Sequence, residues 1–88
     1  MSDQPSVPQI RVTLPDELAG GHYADFVRVW HGKDIFTLDF AALLAPPGPD
    51  GTTARVVSRV RIPPSQVFEI MKALERSLTA WESDQQRG

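Results

Sequence analysis

The chain contains no cysteine, so neither a disulfide nor a thiolate metal site can hold it together. Cysteine-free composition fits a reducing compartment, and a cytoplasmic location is the expectation. Two histidines, His22 and His31, are too few and too isolated to build a structural zinc site, and no cofactor or metal is expected. No apolar run approaches the roughly 20 residues that cross a bilayer. The opening Met1-Ser2-Asp3-Gln4-Pro5 lacks the basic-then-apolar order of a secretory signal, so no membrane partner is expected. Basic excess is missing as well. Nine Lys and Arg stand against 11 Asp and Glu, a net charge of −2, which argues against a general nucleic-acid binder.

Size is the last shortage. An 88-residue chain makes one domain and buries only roughly 60% of the surface its unfolded form exposes. Scaffolds this small add disulfides, a metal or oligomerisation. With the first two excluded, association with another molecule is the remaining route.

What is present is an ordered pattern. Residues 1–8, with Pro5 and Pro8 among small polar neighbours, read as a disordered tail. Residues 9–82 carry the domain, and residues 83–88, wholly polar, read as a frayed end. Apolar residues alternate with polar ones over 9–14, 23–40 and 53–62, the period of half-buried strands. Between the second and third runs, Ala45-Pro46-Pro47-Gly48-Pro49-Asp50-Gly51 excludes helix and central strand. Residues 23–40 read as a hairpin turning at Gly32-Lys33, with Gly32 at positive φ, so that Trp30 opposes Ile35 and Val27 opposes Leu38.

After Pro63-Pro64 the period changes. Val67, Ile70, Met71, Leu74, Leu78 and Trp81 form one apolar stripe of a helix over 65–81. Pro64 suits the first helical position, but Pro63 at the cap offers no side-chain acceptor; a serine, threonine or aspartate there is typically worth about 1 kcal/mol. The fold expected is therefore α+β: a four-stranded antiparallel sheet followed by one C-terminal helix (ββββα), dimerising through the sheet.

The hairpin register sorts residues onto two faces. Val27, Val29, Phe36, Leu38 and Phe40, joined by Ala54, Val56, Val60 and Ile62, form the face for the helix to cover. The opposite face carries Phe26, Arg28, Trp30, Ile35, Thr37 and Asp39, with Arg55, Val57, Arg59 and Arg61 from the last strand. Its apolar members make a patch of several hundred Å², the size that marks an interaction surface. Arg28 lies diagonally from Asp39, within reach of a cross-strand ion pair. The candidate interaction face is thus Phe26, Arg28, Trp30, Ile35, Asp39, Arg55, Val57, Arg59 and Arg61.

The stretches Leu14-Pro15-Asp16-Glu17-Leu18-Ala19, His22-Tyr23-Ala24-Asp25-Phe26-Val27, Phe36-Thr37-Leu38-Asp39-Phe40 and Ala54-Arg55-Val56-Val57-Ser58-Arg59-Val60 together resemble the bacterial family catalogued as domain of unknown function 3467. The resemblance covers about residues 10–81. It implies a small bacterial β-plus-helix protein and brings no catalytic residues. The family tends to open its helix with Thr-Pro or Ser-Pro, where this chain has Pro63-Pro64.

Catalytic chemistry finds little footing. Asp25 and Asp39 fall on opposite faces and cannot converge as an acid–base pair; ion pairing with strand arginines such as Arg28 or Arg11 is the better reading. Ser58 stands mid-strand without a nearby histidine, a small residue beneath the helix rather than a nucleophile. Gly20-Gly21 lacks the lysine and helix start of a phosphate loop. The expectation is a non-enzymatic, self-associating interaction module, a protein-binding or chaperone-like scaffold with a possible polypeptide partner. The alternative is single-stranded nucleic-acid binding, with bases stacked on Phe26 and Trp30 and the arginines tracking phosphates.

Overall fold

The turn between the first two strands decides the register. In the computed structural model, which describes residues 8–87, β1 (Phe26–His31) and β2 (Phe36–Leu43) are antiparallel, with Trp30 opposite Thr37 and Val27 opposite Phe40. The chain reverses at Lys33-Asp34 rather than Gly32-Lys33, and the Gly32 N–H donates to the Ile35 carbonyl at 2.9 Å. Gly32 does not take the positive φ expected of it; Gly21 and Gly51 do. Sliding the turn by one residue slides the pairing by two. Because side chains alternate with a period of two, every hairpin residue keeps its expected face.

β3 (Ala54–Ile62) pairs antiparallel with β2, giving the order β1-β2-β3. The proline-rich loop before it is closed by Gly48 and Gly51, which exchange backbone hydrogen bonds around Pro49-Asp50. Gly51 sits at φ 84°, a conformation that glycine adopts without steric cost.

Among the described residues the sheet has three strands, not the expected four. Residues 9–14 alternate as a strand should, yet they form none, and Ile10 and Val12 are 87% and 88% exposed. Six residues of period-two pattern are a local signal only. A strand also needs an edge to pair with and a layer to cover its apolar side, and Pro15 with the short helix η1 (Asp16–Leu18) carries this segment away from both. The expected tail of residues 1–8 lies outside the described residues apart from Pro8, which is exposed.

The C-terminal helix, α1 (Pro64–Arg87), starts at the expected proline, with Gln66 N–H bonded to the Pro63 carbonyl at 3.0 Å. It runs past Trp81 to Arg87, because Glu82, Gln85, Gln86 and Arg87 favour helix even without a surface to pack on.

The helix does not close down on the sheet. Val67 and Ile70 are half-buried, while Met71, Leu74, Leu78 and Trp81 are 54–65% exposed. On the sheet below, Val27 and Val29 remain about half exposed. The radius of gyration is 18.2 Å, against about 12 Å for a compact chain of this length. Among the described residues the buried ones, Thr37, Asp39 and Ala41, all belong to the central strand and all point away from the helix. The best-covered place in the subunit is therefore the face expected to be the outer one. Long side chains from the two flanking strands fold over the small residues of β2, whereas the helix stands off the other side.

Candidate functional site

Asp39 lies at the centre of the buried face, directly opposite Arg28 on β1 and Arg59 on β3. Its carboxylate accepts from Arg28 Nη2 at 2.9 Å, and from Arg59 Nε at 2.6 Å and Nη2 at 2.9 Å. The Arg59 pair is bidentate, the strong geometry for arginine and carboxylate. Arg28 is thus a direct cross-strand partner of Asp39, closer than the diagonal expected from sequence. The hydrogen bonds from Arg59 are the largest cause holding the Asp39 carboxyl down, at about 2 instead of 3.8; burial opposes them and Arg28 adds to the lowering. Asp39 in turn raises Arg59 above the ordinary guanidinium range.

Trp30 completes the cluster. The Arg28 and Arg59 guanidinium carbons stand 5.0 and 5.1 Å from its ring centroid, within cation–π range. The indole does not lie under the helix. Arg59, Asp39, Arg28 and Trp30 form one locked unit spanning all three strands.

A bulge reorganises the end of the expected interaction face. The β2–β3 register shifts between Phe40 and Ala41, so Phe40 opposes Ser58 while Ala41 opposes Val56, and Val57 is the extra residue. Past that point the parity of β3 is inverted. Val56 and Ala54, expected beneath the helix, join Phe26, Arg28, Asp39 and Ala41 around a small 140 Å³ hollow on the Trp30 side. Arg55, expected beside them, pairs with Ala42 and points to the helix side. Arg61 stays on the Trp30 face, opposite Thr37. Ile35 sits at the hairpin end, outside β2. Of the nine residues expected to share one surface, the structure brings Phe26, Arg28, Trp30, Asp39, Arg59 and Arg61 together. An inserted residue in a strand has no signature in an alternating pattern, so sequence reasoning carried the wrong parity through 54–56.

Asp25 is not an ion-pair partner among the described residues. Its Oδ1 accepts the Leu43 N–H at 2.9 Å, and its own N–H donates to Ala41, extending the β1–β2 ladder by one step. His31 stacks on Phe36 with ring centroids 5.4 Å apart. Among the described residues no group of three or more His, Cys, Asp or Glu side chains could hold a metal ion, and no helix is long and apolar enough to cross a membrane.

The second surface was not expected as a site at all. Between α1 and the sheet lies an open groove of about 510 Å³ whose lining is entirely apolar, including Val27, Val29 and Leu38 from the sheet and Ile70, Met71 and Leu74 from the helix. Every one of these residues was legible in the sequence as core. What the pattern could not convey is that the two halves of that core do not meet within one chain.

A model of the family described as protein of unknown function DUF3467 matches residues 1–86, nearly the whole chain. The chain belongs to that family. This DUF3467 member matches no curated protein and no solved structure. Its arginine-locked Trp30 face and its open apolar groove are therefore read from their own geometry.

Proposed function

We propose that this DUF3467 protein is a non-enzymatic interaction module of the bacterial cytoplasm that works as a homo-oligomer, a scaffold built to hold polypeptide. The observation that carries the reading is the groove: an apolar helix stripe and an apolar sheet face that stand open to water. A monomer of this size is poorly placed to carry that uncovered surface, since it has no cysteine for a disulfide and, among the described residues, no cluster of His, Asp or Glu that could hold a stabilising metal. Self-association belongs to the groove, and the Trp30 face is left for a polypeptide partner. Sedimentation velocity at tens of micromolar tests this. A dimer or larger species is expected, and a monomer of 9.7 kDa would end the reading.

Nucleic-acid binding through the arginine–aromatic face is the competitor, and the geometry weighs against it. Asp39 neutralises Arg28 and Arg59, both guanidiniums already lie against Trp30, and Arg55 points to the other side. Only Arg61 of the four arginines remains on that face without an ion pair among the described residues. A fluorescent single-stranded oligonucleotide at 50 mM salt should show no anisotropy change. Binding that falls steeply with salt and disappears in Arg61→Ala would reinstate the competitor.

A further inference from the structure

Resting on the self-association reading, we infer that the occupant of the groove is the α1 helix of a second copy, lying antiparallel to the first about an axis at Leu74. The helix stripe is spaced symmetrically. Four and seven positions beyond Leu74 stand Leu78 and Trp81; four and seven positions before it stand Ile70 and Val67. Reversing the helix end for end superimposes the stripe on itself, with Met71 alone meeting a polar counterpart, Ser77. A two-fold interface requires such a surface, because each patch must be its own complement. Antiparallel alignment also sets the positive helix terminus of one copy beside the negative terminus of the other.

The groove ends where the second half of the stripe begins. Its helix wall is Val67, Ile70, Met71 and Leu74, whereas Leu78 and Trp81 continue beyond it and remain 54% and 57% exposed. Each copy thus has an apolar seat at one end of α1 and unseated apolar side chains at the other. In the antiparallel pair, Trp81 comes opposite Val67 and Leu78 opposite Ile70, so the free end of each helix enters the seat of its partner. A cavity of about 150 Å³ takes one benzene ring, and the 510 Å³ groove has room for a leucine and an indole.

The areas agree. Met71, Leu74, Leu78 and Trp81, with Val27, Val29 and Val60, leave roughly 700 Å² of apolar side chain uncovered, taking up to about 200 Å² for a large side chain. Each partner in a standard protein–protein interface contributes about 800 Å².

The absence of native cysteine makes the test direct. Single-cysteine variants are first confirmed to retain the wild-type sedimentation coefficient under reducing conditions, then oxidised gently. Leu74→Cys should cross-link to itself. Leu78→Cys mixed with Ile70→Cys should give the heterodimeric disulfide, with little of either homodimer. Trp81→Cys mixed with Val67→Cys, the next pair along the stripe, should also cross-link as the mixture. Self-cross-linking of Ile70→Cys, Leu74→Cys and Leu78→Cys alike would mean parallel helices and overturn the arrangement. A dimer in which none of these cross-links forms would overturn it too, placing the interface elsewhere. A monomer in the ultracentrifuge would instead remove the self-association reading beneath it.

Discussion

Leu74→Glu is expected to break the oligomer into monomers at concentrations where the wild type stays associated. Leu74 is 65% exposed in the isolated subunit, so the substitution leaves the folded monomer almost without an electrostatic penalty. In the proposed antiparallel pair, the same position lies at the centre of two facing apolar stripes. A carboxylate there must be desolvated without a partner, and two copies place two carboxylates together. A loss of about 3 kcal/mol or more in association, over a hundredfold in Kd, follows for a central position of this kind. Sedimentation velocity across a dilution series measures it. Trp30→Glu on the opposite face is the control and should leave the mass unchanged. If Trp30→Glu dissociates the protein and Leu74→Glu does not, self-association belongs to the Trp30 face, and the groove reading fails.

Asp39→Asn should abolish the acid-sensitive step of unfolding. In the native sheet the Asp39 carboxyl is held at about 2, below its ordinary 3.8, chiefly by hydrogen bonds from Arg59. A carboxyl whose pKa is depressed by folding contributes stability that is fully present above its unfolded pKa. That contribution fades as pH falls from about 4 to about 2, and at pH 2 it is largely gone. Wild-type stability, followed by circular dichroism in urea, should therefore decline through that window. Asp39→Asn should be less stable at pH 7, since two guanidiniums lose their counter-charge, and nearly flat between pH 4 and 2. An undiminished pH 4-to-2 decline in the variant would show that other carboxylates carry it. Because Asp39 is 1% exposed and joins all three strands, its replacement should also loosen the sheet more than replacement of any surface carboxylate.

Most of the fold was legible locally. The hairpin, the proline-glycine loop and the Pro64 helix start each rest on backbone preferences that act within a few residues, and each is found in the structure. The two hairpin faces survived even though the turn moved from Gly32-Lys33 to Lys33-Asp34, because a two-residue register slip preserves parity. The Arg28–Asp39 pair followed from that same parity. Where expectation failed, the deciding interaction was distant in sequence. Residues 9–14 alternate as a strand does but pair with neither open edge of the sheet, β1 or β3. The bulge at Val57 turned Ala54, Arg55 and Val56 over, and nothing in Arg-Val-Val-Ser announces an extra residue.

Composition and pattern alone excluded a disulfide and a thiolate metal site, and pointed to antiparallel strands and one amphipathic helix with more apolar surface than one chain covers. They could do so because turn chemistry and hydrophobic period are properties of neighbouring residues. Only the tertiary structure decided which face stays open. The small residues of β2 accept the folded-over arginines and Trp30 on one side, while a helix tethered by the single residue Pro63 stands off the other and leaves its stripe unpaired. That distinction depends on how far one layer stands from another, a quantity that no run of residues encodes by itself.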